Sequence, residues 1–283
     1  MDKGFAPAKV NLALHVTGRA ADGYHLLDSL VVFAGVGDTV AATPARDLAL
    51  ATGGPFAPGV PAGEGNLVMQ AALLLASRRG VRIGAQIRLT KLLPHAAGIG
   101  GASSDAAATI RRLAELWRVA PLPPDDPDLR ALGSDVPVCM GAPAPQRLRG
   151  TGDDLAPWGP LPPCALVLVN PRVELQTAAT FAALAQRENP PLEAPPPPGF
   201  DALAGWLARQ RNDLEAPARA LVPQVDAVLA RLRAQPGVVL ARMSGSGATC
   251  FGLCRDLATA KQAAKAVQIS EQGWWVAPAP VLG

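Results

Sequence analysis

Residues 81–107, VRIGAQIRLTKLLPHAAGIGGASSDAA, change from one structural pattern to another within a short length. The first ten alternate between apolar and polar side chains, which predicts a half-buried strand. Its apolar face comprises Val81, Ile83, Ala85, Ile87 and Leu89. After the glycines, apolar residues recur at helical spacing at Ile110, Leu113 and Trp117. The stretch therefore predicts a strand, a glycine loop and a helix, whereas a doubly wound nucleotide fold would show a continuously apolar strand before the loop.

The loop between the predicted strand and helix has the composition of an anion site. Gly98, Gly100 and Gly101 let the backbone turn and approach a ligand closely, and a helix start offers unpaired N–H groups with a partial positive charge. The loop is not a Walker A motif, and Ser103 interrupts a GxGxxG pattern. Two alternatives therefore stay open for the loop taken alone, a phosphate site and a glycine-rich turn before a helix.

Three polar residues stand where the predicted helix begins. Ser103 or Ser104 is expected to cap its first turn, since a hydroxyl can accept a hydrogen bond from an unpaired backbone N–H. Asp105 lies in the same turn, where a carboxylate interacts favourably with the helix dipole but would repel a bound phosphate. We therefore expect Asp105 to be a capping residue rather than a metal ligand.

A second alternating stretch, AKVNLALHVTG at residues 8–18, predicts another strand. The face opposite its apolar side chains includes Lys9 and Asn11, roughly 7 Å apart at a rise of about 3.3 Å per residue. Two polar groups that point the same way make a candidate site.

Two further segments are candidates of the same kind. MSGSGATCF, residues 243–251, contains Gly245, Ser246 and Gly247 between two predicted strands, and its alternative interpretation is a hairpin turn. LGSDVPV, residues 132–138, places Asp135 before a valine and a proline, and its alternative is an ordinary turn. Two glycine loops in separate halves of a chain fit a ligand held in a cleft between domains.

The second half of the chain predicts strands and helices in alternation. Strands are expected at residues 165–169, 238–243, 250–254 and 274–277, and helices from about residues 177, 201 and 223 and near residues 257–267. The order of strand, helix, strand, strand, helix and strand predicts a ferredoxin-like domain. The composition changes near residues 150–163, so we expect an α+β chain of two domains, residues 1–155 and 156–283.

Composition excludes several function classes. The 283 residues are 49% hydrophobic and 17% charged, with a formal net charge of +3, which is typical of a globular protein. The arginines are scattered, so we expect no nucleic-acid partner, while a small anionic substrate is compatible with the charge. The four cysteines form no CxxC pair and are expected to be reduced. No signal peptide or membrane span is evident, which predicts a cytoplasmic protein without a membrane partner.

Taken together, four segments resemble the GHMP kinases. They are PAKVNLALHVTGRAADGYH at residues 7–25, LPHAAGIGGASSDAA at 93–107, GSDVPV at 133–138 and MSGSGATCF. The ADGYH ending of the first segment is most similar to the family of 4-diphosphocytidyl-2-C-methyl-D-erythritol kinases. The resemblance implies a two-domain GHMP kinase fold, with an N-terminal domain like domain 2 of ribosomal protein S5, a C-terminal ferredoxin-like domain and the active site in the cleft between them.

The resemblance also implies an activity. The family uses ATP to phosphorylate the 2-hydroxyl of a cytidine diphosphate-linked methylerythritol, in the non-mevalonate route to isoprenoid precursors. Mg²⁺ is expected to accompany ATP, but the resemblance assigns no metal ligand. The expected partner is thus this small-molecule substrate, and the oligomeric state is left open.

Carried over residue by residue, the resemblance assigns the site. The catalytic pair is Lys9 and Asp135, with the aspartate as base towards the hydroxyl. The substrate-binding residues are Asn11, Tyr24, His25, Thr177 and Phe181, with the glycine loop of Gly245, Ser246 and Gly247 beside them. The ATP-binding residues are Asn66, Pro94, His95, Ala96, Ala97, Gly98, Ile99, Gly100, Gly101, Ala102, Ser103 and Ser104.

This chain departs from the family in its ATP loop. Alanine stands at Ala96, Ala97 and Ala102 where the family usually has glycine, which leaves the effect on ATP affinity open. Because alanine at a positive φ costs about 1 kcal/mol or more, we expect all three to have negative φ. Positive φ angles are expected among Gly98, Gly100 and Gly101 instead.

Two other functions remain possible at this point. One is a GHMP kinase for another small alcohol, of the mevalonate or homoserine type, and the ADGYH segment argues against it. The other is a catalytically silent nucleotide-binding relative. The presence of both Lys9 and Asp135 argues against that, because a binding module needs no base.

Overall fold

The computed structural model describes residue 2, residues 4–21 and residues 23–283. Its strands are β1 (Phe5–Arg19), β2 (His25–Ala45), β3 (Ala49–Gly53), β4 (Gly84–Thr90), β5 (Gln146–Gly150), β6 (Asp154–Pro157), β7 (Ala165–Asn170), β8 (Leu240–Met243), β9 (Cys250–Cys254) and β10 (Trp275–Leu282). Its α-helices are α1 (Leu67–Arg79), α2 (Gly101–Trp117), α3 (Pro127–Leu132), α4 (Val136–Met140), α5 (Thr177–Ala182), α6 (Phe200–Arg209), α7 (Glu215–Leu221), α8 (Gln224–Arg233) and α9 (Leu257–Ser270). The expected mixture of helices and strands is confirmed.

The chain divides into two compact units that do not follow chain order. The first unit comprises the described residues up to Ala8 and residues 37–95 and 100–142. The second comprises residues 9–36, 96–99 and 143–283. The last crossing between units lies at residues 142 and 143, and the division between residues 155 and 156 stays a prediction.

In the first unit, three strands lie beside a layer of helices. β4 pairs with β3 in parallel and with the second part of β2 in antiparallel orientation. α1 packs against α2, and α2 against α4. The predicted helix after the glycine loop is confirmed as α2, and its residues Ile110, Leu113 and Trp117 are buried in the core of this unit. The core therefore forms where the periodicity predicts it.

The strand before the glycine loop is shorter than predicted. β4 begins at Gly84, and Ala85, Ile87 and Leu89 are buried as expected. Val81 lies outside the strand, and Ile83 is 60% exposed. The prediction that the strand includes these two residues was wrong, because pairing with β2 starts only at Gly84. Gly84 itself lies against the backbone of Asp47, where an added Cβ would approach within 2.2 Å.

The second unit contains the predicted ferredoxin-like arrangement. Its central strands have the order β10-β7-β9-β8, and every neighbouring pair is antiparallel. α8 packs on β8 and β9, and α9 on β7 and β10. The apolar face of α8, with Val225, Val228, Leu229 and Leu232, is buried as predicted. The last strand is longer than expected, because the antiparallel partner β7 continues its pairing past two prolines of β10.

Strand β1 and the four cysteines are deeply buried, and they are divided between the two units. β1 was predicted to bury one face, yet Lys9, Asn11 and His15 on its other face are also buried. The four cysteines are free and buried, as expected, and burial raises the pKa of Cys164 and of Cys254 to about 11. In the described part of the chain, no helix combines the length and apolar character that a membrane crossing requires.

Candidate active site

Lys9 and Asn11 lie on the same face of β1, as their spacing predicts. The Lys9 ammonium donates a hydrogen bond to Asn11 Oδ1 at 3.0 Å. Asn11 Nδ2 donates to Ser29 Oγ at 2.8 Å, and Ser29 Oγ donates to the carbonyl of Ala13 at 2.6 Å. This chain of bonds orients the Asn11 amide so that its oxygen faces Lys9.

The centre of the ATP loop and the second glycine loop are packed together within the second unit. Ser244 Oγ donates to the Gly98 carbonyl at 3.1 Å and accepts the Asn11 backbone N–H at 3.2 Å. A Cβ on Gly98 would approach the carbonyl oxygens of Ser244 and Gly247 within 2.6 and 2.7 Å, and one on Gly245 would lie 2.7 Å from the Gly98 carbonyl. Glycine is therefore required where these two loops touch.

The φ prediction for the ATP loop is right at two glycines and wrong at one alanine. Gly98 and Gly100 have φ of 72° and 62°. Gly101 is helical instead, and Ala96 is left-handed with φ of 46°. The path of the loop is fixed by distant partners, because the Ala97 carbonyl accepts the Thr249 N–H at 3.2 Å. Ala97 and Ala102 are not among the residues with positive φ, as expected.

The predicted caps at the start of α2 are wrong. Gly100 is the N-cap residue, and no side chain caps the helix. Ser103 and Ser104 lie inside the first turn because the helix begins at Gly101, and Ser104 Oγ donates to the Pro7 carbonyl at 2.7 Å. Asp105 is past the positions that a capping carboxylate can reach. Its carboxylate binds a lysine instead.

A buried ion cluster lies in the first unit at the two ends of the ATP loop. Lys91 Nζ donates to Asp38 Oδ2 and, at 2.6 Å, to Asp105 Oδ2. Burial raises the pKa of Asp105 to about 7 although Lys91 opposes the shift. Burial lowers the pKa of Lys91, but the carboxylates of Asp105 and Asp38 outweigh it and raise that pKa overall. The pKa of Asp105 thus rises through burial, to which the Asp38 carboxylate adds, whereas the pKa of Lys91 rises because its ammonium faces two carboxylates.

The residues expected to bind cytidine lie at the start of β2 and on α5. The His25 and Phe181 rings stack with centroids 4.8 Å apart and planes inclined by 25°. A base cannot lie between rings that contact each other in this way. His25 Nε2 is buried and has no hydrogen-bond partner among the described residues. Burial, Arg187 and Arg19 lower the pKa of His25, so the ring is neutral at pH 7.

Tyr24 and Thr177, the other two residues expected near the cytidine or its pocket, differ in exposure and contacts. The Tyr24 side chain is 67% exposed, beside Gly23 of the ADGYH motif, whose Asp22 lies outside the described residues. Thr177 begins α5, and its Oγ1 lies 2.8 Å from Ser246 Oγ. Thr177 thus links α5 to the second glycine loop.

The other two predicted residues belong to the first unit. Asp135 precedes α4, half-buried, and its side chain makes no cap hydrogen bond there. Asn66 is the N-cap residue of α1, with Oδ1 accepting the Val68 N–H at 2.8 Å and Nδ2 donating to the Pro61 carbonyl at 2.9 Å. Asn66 therefore has a structural role irrespective of any nucleotide.

Four residues around the site were missed by the sequence analysis, namely Ser29, Asp38, Lys91 and Ser244. Lys91 and Ser244 lie directly beside the two glycine loops, and a polar residue at the base of such a loop was a usable signal. Ser29 and Asp38 lie within β2 and gave no local signal, since their partners are distant in the chain.

The described residues contain no group of three or more His, Cys, Asp or Glu side chains that could hold a metal ion. Asp105, the carboxylate at the ATP loop, is already bound to Lys91. Mg²⁺ characteristically binds through nucleotide phosphates with only one or two carboxylates, so a nucleotide-bound ion does not require such a group.

Comparison with known proteins identifies the family. The model of the GHMP kinase N-terminal domain matches residues 66–146, and that of the GHMP kinases C-terminal region matches residues 192–271. A 4-diphosphocytidyl-2-C-methyl-D-erythritol kinase of Jannaschia sp. is 54% identical over 281 residues, covering 99% of this chain and 97% of the relative. A kinase of the same name from Cereibacter sphaeroides is 52% identical, with complete coverage of both chains.

Solved structures agree with this similarity. A crystal structure of a 4-(cytidine 5'-diphospho)-2C-methyl-D-erythritol kinase superposes with a TM-score of 0.80 at 33% identity, covering 99% of this chain and 98% of its own. A mevalonate kinase of L. major has a TM-score of 0.69 at 15% identity, with 99% and 95% covered, which shows a shared fold alone. The chain belongs to the GHMP kinases, in the family of the 4-diphosphocytidyl-2-C-methyl-D-erythritol kinases.

Proposed function

We propose that this kinase transfers the γ-phosphoryl group of ATP to the 2-hydroxyl of 4-diphosphocytidyl-2-C-methyl-D-erythritol. The observation that carries the proposal is the position of Lys9. Its backbone N–H donates to the Ile99 carbonyl in the ATP loop at 2.9 Å. The backbone N–H of Asn11, two residues further along β1, donates to Ser244 Oγ beside the second glycine loop. A buried cation held beside two glycine loops suits a reaction that needs alignment and charge neutralisation.

In this proposal, Lys9 and Asp135 act on the acceptor hydroxyl. The Asp135 carboxylate takes the hydroxyl proton as the oxygen attacks the γ-phosphorus, and the bond between that phosphorus and the bridging oxygen of ADP breaks. The Lys9 ammonium stabilises the negative charge that develops on the transferred group. Asn11, whose oxygen is bound to Lys9, holds the ammonium in position and lies beside the methylerythritol end.

We further propose that the cytosine binds at Tyr24, His25 and Phe181. The unpartnered Nε2 of His25 supports this role, since a buried ring nitrogen without a partner leaves a hydrogen bond for the edge of a base. The exposed ring of Tyr24 provides one face for stacking, and Phe181 provides the other once its contact with His25 opens. Thr177, one turn before Phe181 on α5, lies on the same side of the base, and the loop of Gly245, Ser246 and Gly247, which Thr177 contacts, lies beside the substrate.

For the nucleotide, we propose the loop of residues 94–104, with Asn66 on the same side. Unpaired N–H groups at the start of α2, which no side chain caps, support a phosphate there. Mg²⁺ enters with the phosphates of ATP, and we assign it no protein ligand. We also propose that residues 1–155 and 156–283 correspond to the two domains of the family and that the enzyme acts in the cytoplasm.

ADP release with ATP and Mg²⁺ tests the substrate. The cytidine-linked methylerythritol, mevalonate and homoserine are offered in parallel, and turnover is expected with the first alone. Turnover with another alcohol only would replace the proposed acceptor. No turnover with any of the three, in a protein that still binds ATP, would identify a silent relative.

Asp135→Asn tests the base. We expect turnover to fall by roughly 10²- to 10⁴-fold, the usual contribution of a general base, while calorimetry shows ATP binding within a few-fold of the wild type. The folded state is checked by circular dichroism. Near-normal turnover of this variant would show that another group takes the proton.

A further inference from the structure

The ion cluster of Asp38, Lys91 and Asp105 joins the two ends of the proposed ATP loop. Lys91 directly follows the last residue of β4, and Asp105 lies just past the first turn of α2. Residues 94–104, proposed to bind ATP, lie between them in the chain. The ion pair from Lys91 to Asp105 therefore joins the two ends of the loop, and all three charged residues belong to the first unit.

Asp38 also holds the backbone that enters the loop. Its Oδ1 accepts the N–H groups of Leu92 and Leu93, the latter at 2.8 Å, and its Oδ2 accepts from Lys91. Three consecutive residues before the loop are thus bound to a single carboxylate on β2. The direction in which the chain leaves β4 is fixed by this group.

The cluster lies directly beneath the first residue of α2. A Cβ on Gly101 would stand 3.6 Å from Lys91 Nζ and 3.8 Å from Asp38 Oδ2. The first residue of α2 therefore packs against the ion cluster, next to the N–H groups of the first helical turn. A shift of the Lys91 ammonium would move the start of α2, where the phosphate is proposed to bind.

The charges are buried so completely that they depend on each other. Asp38, Lys91 and Asp105 are 0%, 4% and 2% exposed. An isolated charge at such depth is strongly unfavourable, and removal of one partner of a buried pair leaves the other uncompensated. Asp105 Oδ1 has no hydrogen-bond partner among the described residues, so Lys91 is what its carboxyl group binds. Lys91 therefore binds both carboxylates of the cluster.

We propose that Asp38, Lys91 and Asp105 are positioning residues for nucleotide binding, which hold the two ends of the ATP loop and the start of α2 in the geometry that receives the phosphates. The proposal rests on the assignment of residues 94–104 to ATP. The three side chains are not catalytic residues, since they act through the loop. Their loss should weaken nucleotide binding and leave the binding of the alcohol substrate largely unchanged.

Asp105→Asn and Lys91→Met are the test variants. Asp105→Asn keeps the shape of the side chain and removes its ability to ionise, and Lys91 keeps its bond to Asp38, so we expect this variant to fold even if Lys91→Met does not. Leu75→Ala is the matched control, because it removes a fully buried side chain from α1 in the core of the same unit and lowers stability without touching the ion cluster. Binding of ADP and of a non-hydrolysable ATP analogue is measured by calorimetry, and KM is measured for ATP and for the alcohol substrate.

We expect Asp105→Asn to weaken nucleotide binding and raise KM for ATP by about tenfold or more, the scale of effect that a small misplacement of binding groups produces. KM for the alcohol should change less than threefold, and Leu75→Ala should bind nucleotide normally at a similar loss of thermal stability. Unchanged nucleotide binding in Asp105→Asn, or an equal loss in Leu75→Ala, would overturn the positioning role. A wild-type protein that bound no nucleotide would refute the loop assignment itself, and with it this proposal. Nucleotide binding without turnover would refute the proposed phosphoryl transfer and leave the positioning role standing.

Discussion

At Asp105, burial and charge act in opposite directions on one carboxyl group. Burial raises its pKa from the ordinary 3.8 to about 7, and Lys91 pulls the pKa back without restoring it. A buried carboxyl with a raised pKa binds a proton in the folded protein over a pH range where the unfolded chain has released it. The folded state is therefore less favoured as that proton is lost.

Asp105→Asn should change how stability depends on pH. The wild-type free energy of unfolding, relative to that of the variant, should fall as pH rises from about 4 to about 7 and then level off. One proton allows a slope of at most about 1.4 kcal/mol per pH unit. Urea unfolding at pH 5, 6, 7 and 8 measures the difference, and a difference that stays constant would contradict the raised pKa.

Ala96 and Ala97 differ by backbone conformation at adjacent positions of one loop. Ala96 is exposed and left-handed, while Ala97 is buried and has no positive φ. Ala96→Gly removes a strain of about 1 kcal/mol, which offsets the entropy that glycine adds to the unfolded chain. Ala97→Gly gains nothing and should lose about 1 kcal/mol. Thermal unfolding of both variants compares them, and an equal loss would show that Ala96 is not strained.

At the scale of the element, substitutions of Asn66, the N-cap residue of α1, distinguish a role in helix capping from a role in nucleotide binding. Asn66→Ala and Asn66→Asp both lose the bond to the Pro61 carbonyl, but the aspartate still accepts the Val68 N–H. The alanine variant should therefore be less stable by about 1 kcal/mol. If Asn66 lies on the nucleotide side, the aspartate should raise KM for ATP more than the alanine does, because its charge repels phosphate. Equal KM values would confine Asn66 to its capping role.

The elements themselves were largely predictable. α2, α8 and the strands of the ferredoxin-like domain follow from the 3.6- and 2-residue periods of their apolar side chains, since each element buries one face. The pairs that join elements were not predictable in this way. Lys91 and Asp38 are 53 residues apart, and no local pattern marks such a pair.

At the scale of the whole molecule, each unit has its own apolar core, and polar groups fix the positions of elements within a unit. Arg242 on β8 is one such buried group of the second unit. It donates to the carbonyls of Leu12, Leu207 and Gln210 at 2.9, 2.8 and 2.7 Å. Burial lowers its pKa to about 10, so it stays charged at pH 7.

Arg242→Met should destabilise the protein by about 3 kcal/mol or more, because three buried carbonyls lose their donor at once. Arg231→Met is the control, since Arg231 pairs with Glu271 at the surface and should cost at most about 1 kcal/mol. Urea unfolding measures both variants. A similar small loss in each would mean that water replaces the guanidinium of Arg242.

Local order in the chain was enough to predict the α+β class, the ferredoxin-like order of elements, the shared face of Lys9 and Asn11 and the family, because periodicity, turn residues and short motifs depend on neighbours in sequence. The left-handed Ala96, the late start of β4 and the pairing of Asp105 with Lys91 instead of the helix end required the folded chain. Those features depend on burial and on partners brought from distant segments, and a buried charge or a strained backbone is stable only once such partners surround it.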